Sequence, residues 1–283
     1  MIMKHLEAAV EKVREMGYTP VYAALYGSQN YGLDVYGEDY QSDYDVKVIV
    51  MPTLHDLVFK GSQVSMTIDY EDGQIDVKDV ISMTQIIAKM NTQYLEILLT
   101  PFYLVFPGGE YMEELRALLP SLLKDRAPIF ARAAYGHFQE KLARATRISP
   151  SSEARIRKYG YDGKSLHHAL RLKLMLEDFE KTERMVLHPP SDQVAYLVRL
   201  KKNEIPIEEA SAKARLWNDE MVACANRIID RYDISDISSD LAMSKTKQAL
   251  YFALKSEAMG ARTTMDAKEV RNDEREEEND AQS

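Results

Sequence analysis

The spacing of apolar residues changes partway along this chain, and this change most limits the folds that the chain can adopt. Between residues 43 and 79, apolar residues recur at every second position, as in Val46, Val48 and Val50. From Ser82 onward they recur every three or four positions. A period of two is typical of strands and the longer period is typical of helices. The sequence therefore predicts an α+β fold, in which a small mixed β-sheet domain precedes an all-helical domain.

Several segments of the first domain carry specific signals of secondary structure. Residues 3–16 have the spacing of an amphipathic helix. Residues 21–28 (VYAALYGS) predict a buried strand that enters a tight turn, and residues 43–51 (DYDVKVIVM) predict a second strand. Two further alternating runs, on either side of Asp72-Gly73, predict a β-hairpin.

The cluster Pro107-Gly108-Gly109 predicts a domain boundary. It divides the chain into a sheet-containing domain at residues 1–110 and a helical domain at residues 111–260. Breaks within the helical domain are expected where Pro, Gly or Ser interrupts the helical spacing, at residues 149–152, 159–163, 188–191 and 205–206.

Charge is unevenly distributed along the chain. The net charge of -9 argues against indiscriminate binding to nucleic acid. Residues 261–283 are acidic and poor in hydrophobic residues, so they are expected to form a disordered tail. Residues 141–173, by contrast, carry nine Lys or Arg and two acidic residues, a net charge of +7. This basic segment is either a local anion-binding site or a solvated helix face.

Composition excludes other classes of protein. Cys224 is the only cysteine, so no internal disulfide can form and a Cys-rich metal site is excluded. No run of about 18 apolar residues occurs, so no membrane-spanning helix is expected. The N-terminal segment is typical of an amphipathic helix and not of a signal peptide. We therefore expect a cytoplasmic protein with no membrane partner, and the sequence does not indicate its oligomeric state.

Three aspartates form a candidate catalytic metal site. Asp43 and Asp45 are two positions apart on a predicted strand, so both side chains leave the same face. Two such carboxylates repel each other unless a cation lies between them. Mg²⁺ (or Mn²⁺) binds oxygen ligands of this kind beside substrate phosphates. Asp76 lies between the apolar Ile75 and Val77, so it is expected on the polar face of the hairpin, where it can meet the other two.

Gly27 and Ser28 follow the first predicted strand and form a candidate phosphate site. Glycine lets backbone N–H groups approach a phosphate closely, and the serine hydroxyl adds a hydrogen bond. Each feature alone has an ordinary explanation, because a Gly-Ser pair is a common turn and a strand-edge Asp-x-Asp is often only solvated. The ordered combination is much more specific, and it is the equipment for two-metal phosphoryl transfer.

The ordered motifs resemble the signature of the DNA polymerase β superfamily of nucleotidyltransferases. Residues 27–28 (GS), 43–45 (DYD) and 75–77 (IDV) occur in the order of that signature. The resemblance implies a palm-like nucleotidyltransferase domain, in which the three aspartates bind Mg²⁺ or Mn²⁺ and the Gly-Ser turn binds phosphate. It also implies a nucleoside triphosphate as substrate.

Within this superfamily, the chain resembles the predicted nucleotidyltransferases of bacteria and their phages. There the Gly-Ser pair is followed by a Tyr-Gly-Leu turn and by Ser-Asp-x-Asp, as at residues 31–33 and 42–45. Residues 91–99 (NTQYLEILL) and 160–172 (GYDGKSLHHALRL) are similar to two downstream segments of these proteins. The resemblance spans roughly residues 20–180. Extra residues around 35–41 are a departure, and they are either a substrate-contacting insertion or without a role.

Lys164, His168 and Arg171 are spaced four and three positions apart, so they share one face of a predicted helix. This stripe is either a clamp for a triphosphate, to which arginine is well suited, or a wet helix surface. Glu96 lies in an apolar run, where it is expected to reach solvent, to pair with a basic residue or to support the site. One interpretation of His167 is a packed surface residue. No zinc site is expected, because the two adjacent histidines lack further ligands at a usual spacing.

The expected reaction moves a nucleoside monophosphate from a nucleoside triphosphate to an acceptor hydroxyl and releases pyrophosphate. The acceptor is an RNA end, a protein side chain or a small molecule. A second enzymatic possibility is a protein-nucleotidylating component of a toxin or antitoxin system. The rival from another class is a non-catalytic nucleotide-binding sensor, against which the three aspartates argue.

Overall fold

The computed structural model describes residues 2–36, 42–60, 63–70 and 73–256. It confirms the α+β class, with one mixed five-stranded sheet in the order β3-β4-β2-β1-β5. The central strands β2 and β4 are parallel, and the other neighbouring strands are antiparallel. The strands are β1 (Thr19–Tyr26), β2 (Asp45–Met51), β3 (Ser65–Tyr70), β4 (Gly73–Asp79) and β5 (Tyr103–Val105).

The sheet agrees with the sequence prediction in most of its strands. The predicted hairpin is confirmed by the antiparallel pairing of β3 and β4, in which Tyr70 lies opposite Gly73. Two details differ. The strand β2 begins at Asp45, so Asp43 precedes it. The edge strand β5 was not predicted, because its three half-buried residues are too few to display an alternating pattern.

Helices make up most of the remaining described chain, and all four predicted breaks are confirmed. A further helical stretch occupies residues 237–256. Shorter segments are 3-10 helices at Ser28–Tyr31 and Glu96–Leu98 and a π-helix at Asp56–Lys60. The α-helices are α1 (Ile2–Glu15), α2 (Val80–Ala88), α3 (Thr92–Leu95), α4 (Tyr111–Asp125), α5 (Ala127–Thr146), α6 (Glu153–Tyr159), α7 (Gly163–Thr182), α8 (Ser191–Lys201) and α9 (Ile207–Arg231).

The two faces of the sheet pack against different parts of the chain. Val46, Val48 and Val50 of β2 belong to a core shared with α1. Ile49 belongs to a larger core that runs without interruption from the sheet into the helices that follow it. Successive strand residues point to opposite faces. The odd-numbered polar residues of β2, Asp45 and Lys47, therefore face the helices, and Asp45 lines a cleft between sheet and helices.

Among the described helices, none is both long and apolar enough to cross a bilayer. The division into domains at residues 110 and 111 stays a prediction, and α4 begins at this point. The predicted tail at residues 261–283 lies outside the described residues.

Candidate active site

The Gly-Ser turn forms one end of the cleft between sheet and helices. β1 ends at Tyr26, and Gly27 adopts φ 89 and ψ -161, a region that is essentially restricted to glycine. Ser28 then begins a 3-10 turn. The carbonyl oxygen of Ser28 accepts a hydrogen bond from Leu33 N at 3.0 Å. A Cβ atom on Gly27 would lie 3.1 Å from Asp45 Oδ2. The glycine therefore permits both the turn and the close approach of the carboxylate.

Gly27→Ala is expected to lower the free energy of unfolding by about 1–3 kcal/mol, because alanine is strained at this φ and its Cβ crowds Asp45. Gly136→Ala is the matched control. An added Cβ there meets no atom within 4 Å, and alanine in the helix α5 should stabilise it by up to about 1 kcal/mol. Urea unfolding of both variants measures the difference. Equal midpoints would contradict the requirement for glycine at position 27.

Two hydrogen bonds join the segment that follows the Gly-Ser turn to the residue that precedes Asp43. Ser42 N donates to Val35 O and Val35 N donates to Ser42 Oγ, both at 2.9 Å. Lys201 Nζ donates to Leu33 O and to Ser42 Oγ, each at 3.0 Å. Val35 and Ser42 are therefore adjacent in the fold, and the residues between them at 37–41 lie outside the described residues. Asp43 follows directly and reaches the cleft despite the longer gap.

Two of the predicted aspartates line the cleft beside the Gly-Ser turn. Asp43 and Asp45 are both part of its wall, together with Gly27 and Ser28. Burial, and next the charge of Asp43, raises the pKa of Asp45 above its usual value. A pair of carboxylates in this state is stabilised by any cation that comes between them. Lys164 already lies beside the pair, with its Nζ 3.4 Å from Asp43 Oδ2.

The third predicted aspartate, Asp76, is not part of the cleft wall. Its Oδ2 accepts from Lys47 Nζ at 2.8 Å and from Tyr94 OH at 2.6 Å. Lys78 Nζ lies 3.3 Å from its Oδ1. Among the residues that the structure describes, no group of three or more His, Cys, Asp or Glu side chains is arranged to hold a metal ion. A metal-binding role for Asp76 stays a prediction.

A cationic wall faces the carboxylates across the cleft. The predicted stripe of Lys164, His168 and Arg171 lies on α7, and all three residues line the cleft. Two cations that sequence reasoning missed, Lys141 and Lys201, also line it. Burial lowers the pKa of Lys201 to about 8. Nothing in the sequence indicates Lys201, because only the tertiary fold brings the end of α8 to the cleft.

The third residue of the stripe is held by a buried carboxylate. Arg171 Nη2 donates to Glu96 Oε1 at 2.7 Å, and Tyr31 OH donates to Glu96 Oε2. The guanidinium carbon lies 3.8 Å from the centre of the Tyr31 ring. Glu96 is 0% exposed, so it does not reach solvent. The prediction that it pairs with a basic residue is confirmed by its contact with Arg171. Nε and Nη1 of Arg171 are buried without a hydrogen-bond partner in the described part of the chain, so they can serve an anion.

The histidines of the cleft are neutral near pH 7. Burial, and next the proximity of His167, lowers the pKa of His168 well below its usual value. His137, missed by sequence reasoning, also lines the cleft, and burial lowers its pKa too. His137 and Lys141 are four positions apart on α5, a spacing from which both could have been found. His167 is fully buried, with Nδ1 2.9 Å from Leu197 O, so its expected surface position was wrong.

Most of the basic segment at residues 141–173 is neutralised locally. Five of its nine cations form ion pairs with nearby Glu or Asp, namely Lys141–Glu140, Arg144–Glu140, Arg155–Asp162, Arg157–Glu153, Lys173–Glu177 and Lys173–Glu220. The residues of this segment that line the cleft are the three of the α7 stripe, Lys141 and Leu172. The segment is thus a solvated or paired surface over much of its length and a candidate anion site only at the cleft.

Comparisons with known proteins leave the family open. No protein-family model matches the chain, and no curated protein matches it significantly. Among solved structures, the chain is similar to a nucleotidyltransferase-like protein from Exiguobacterium sibiricum 255-15, at 11% sequence identity and a TM-score of 0.30. This match covers 86% of this chain and 78% of that chain. A TM-score of this size does not establish a common fold.

Proposed function

We propose that this protein is a metal-dependent nucleotidyltransferase that moves a nucleoside monophosphate from a nucleoside triphosphate to an acceptor hydroxyl. The observation that carries the proposal is the opposite charge of the two walls of one cleft. Asp43 and Asp45 lie on the sheet side, and Lys141, Lys164 and Arg171 lie on the helical side. A metal–triphosphate complex presents a cation to the first wall and phosphate oxygens to the second.

The aspartate pair fits Mg²⁺ or Mn²⁺. Burial and the neighbouring carboxylate disfavour the ionised form of Asp45, and a divalent cation relieves both. Mg²⁺ relies on one or two protein carboxylates and on substrate phosphates for its remaining ligands. A bound Mg²⁺ would neutralise triphosphate oxygens and favour ionisation of the attacking hydroxyl. Asp76, which the sequence assigns to the same two-metal site, has Lys47 as its present partner.

The helical wall is suited to the phosphates. The hydrogen bond to Glu96 and the contact with the Tyr31 ring hold the Arg171 guanidinium in place. Its remaining N–H groups are therefore oriented before a ligand arrives. Lys164 can exchange its contact with Asp43 for a phosphate oxygen once a divalent cation replaces it at the aspartates. Neutral His168 can donate a hydrogen bond without adding charge. Gly27 and Ser28 offer backbone and hydroxyl donors on the opposite side.

The reaction follows from this placement. The acceptor oxygen forms a bond to the α-phosphorus, the bond from that phosphorus to the α,β-bridging oxygen breaks, and pyrophosphate leaves. The hydroxyl proton passes to solvent. Arg171 and Lys164 would steady the charge that accumulates on the departing pyrophosphate. The acceptor we propose is an RNA end, a protein side chain or a small molecule.

Nucleotide binding is expected to depend on the metal. ATP, GTP, CTP and UTP are each titrated into the protein by calorimetry, with Mg²⁺ or with a chelator. At least one nucleotide should bind about tenfold more tightly or better with Mg²⁺, which corresponds to about 1.4 kcal/mol. Equal affinity in both conditions for every nucleotide would argue against a metal site at the aspartates. Release of labelled pyrophosphate with total cellular RNA or protein then tests for transfer.

A non-catalytic nucleotide-binding sensor is the second candidate. The observation that favours it is the ion pair between Lys47 and Asp76, which leaves two of the three predicted carboxylates at the cleft. A sensor would bind a nucleotide in calorimetry but release no pyrophosphate with any acceptor. An enzyme would do both.

A further inference from the structure

Lys47 is a buried ammonium with an unusually complete set of partners. Its side chain is 2% exposed, and its Nζ lies 2.8 Å from Asp76 Oδ2. The ring centres of Tyr26 and Tyr94 lie 3.9 and 4.1 Å from the same nitrogen, on rings that favour a cation over their faces. Tyr94 also donates its hydroxyl to Asp76. A charge buried this deeply persists only when it is paired, and here lysine and aspartate satisfy each other.

This ion pair lies directly behind the aspartates of the cleft. Asp45 and Lys47 are two positions apart on β2, so their side chains share a face of the sheet. Lys47 is in register with Asp76 on the parallel neighbour β4. Tyr26, which covers the ammonium, lines the cleft. The ammonium is close enough for its charge to favour the ionised form of Asp45.

We propose that Lys47 is a fixed cation that takes the place of one of the two metal ions expected from the sequence. The cleft then binds a single divalent cation, at Asp43 and Asp45, while Asp76 stays paired with Lys47. The inference rests on the proposed function, because it concerns the metal content of the same site. Of the three carboxylates that the sequence predicts as metal ligands, Asp43 and Asp45 would then bind the metal and Asp76 would pair with Lys47.

The contacts of Asp76 explain why a second ion is excluded. A metal ion at Asp76 would displace the hydrogen bonds from Lys47 and Tyr94, and it would lie against a buried ammonium of the same sign. Lys47 would then be left without a charge partner, which is strongly unfavourable in a buried position. The arrangement resists this exchange, because the ammonium lies between two aromatic faces and is not at the end of a mobile surface side chain.

The number of bound ions tests the inference independently of activity. Mn²⁺ is titrated into the full chain in the presence of α,β-methylene-ATP, a non-hydrolysable nucleotide, and free Mn²⁺ is measured by electron paramagnetic resonance. The parent protein is expected to bind one ion per chain. Lys47→Met, an apolar replacement of similar length, should bind two, because it releases Asp76. Lys47→Met combined with Asp76→Asn should return the number to one.

Lys78→Met is the matched control, since this lysine also lies near Asp76 but no aromatic ring of the described residues covers its ammonium, and it should leave one ion per chain. Two ions in the parent protein would overturn the inference, as would one ion in a folded Lys47→Met variant. Where Lys47→Met does not fold, the double variant Lys47→Met with Asp76→Asn decides, because it buries neither charge and should still bind one ion. A lost ion there would show that Asp76 binds metal. No Mn²⁺ bound by the parent with nucleotide would instead overturn the proposed function, and this inference with it.

Discussion

Asp43→Asn is expected to abolish the Mg²⁺-dependent part of nucleotide binding and to lower turnover by about three orders of magnitude. The side chain lines the cleft, and its charge supports both the metal and, through it, the triphosphate. Metal ions contribute several kcal/mol of charge stabilisation to phosphoryl transfer, and each 1.36 kcal/mol is about tenfold in rate. Asparagine is nearly isosteric, so the fold should survive. Calorimetry with and without Mg²⁺ measures the first effect, and pyrophosphate release measures the second.

Two further aspartates make this test specific. The sequence predicts that Asp76→Asn keeps nucleotide binding and loses turnover, because this residue would serve the attacking hydroxyl. The ion pair with Lys47 predicts a loss of stability instead, because asparagine leaves the buried ammonium without a charge partner. Asp69→Asn is the control on the same hairpin, where Asp69 accepts a hydrogen bond from Gln74 Nε2 at 3.0 Å. It should leave both properties unchanged. If Asp76→Asn turns over as fast as the parent and Asp69→Asn does not, Asp69 is the third carboxylate. Full Mg²⁺-dependent nucleotide affinity in Asp43→Asn would contradict the metal site and favour the sensor.

Glu96→Gln is expected to destabilise the fold by about 3–5 kcal/mol. It leaves the Arg171 guanidinium buried without its charge partner, and breaking a buried pair from one side has a cost of this size. For a chain of this length, the change corresponds to a drop of about 10 °C in Tm. Thermal unfolding followed by circular dichroism measures it. Nucleotide binding should weaken as well, because Glu96 fixes the orientation of Arg171 in the cleft.

Two controls separate the contributions of this pair. Glu153→Gln breaks an exposed pair with Arg157 and should change stability by about 0.5 kcal/mol or less. Combining Glu96→Met with Arg171→Met removes both buried charges, so it should recover much of the stability but none of the nucleotide binding. If Glu96→Gln unfolds within a degree of the parent, Glu96 does not hold Arg171 as described. Recovery of binding in the double variant would show that the guanidinium is not a ligand group.

The sequence by itself determined the class of the fold and the lining of one face of the cleft. Alternating valines in β2 and the turn before β4 were sufficient to predict these strands, because a period of two fixes which residues face the core. The stripe on α7 was predictable for the same reason, since residues three and four positions apart share a helical face. Gly27 was indicated because a glycine directly after a strand lets backbone N–H groups approach a phosphate closely.

Only the tertiary structure decided how the charged groups are paired. The sequence offered Asp76 as a third metal ligand, but its opposition to Lys47 depends on the parallel register of β2 and β4, which separate segments determine. Lys201 reaches the cleft from the end of α8, and Glu96 meets Arg171 from a distant helix. Periodicity gives the direction of a side chain relative to its own element. The partner of a charge depends on which elements pack together, and that is set by the whole core.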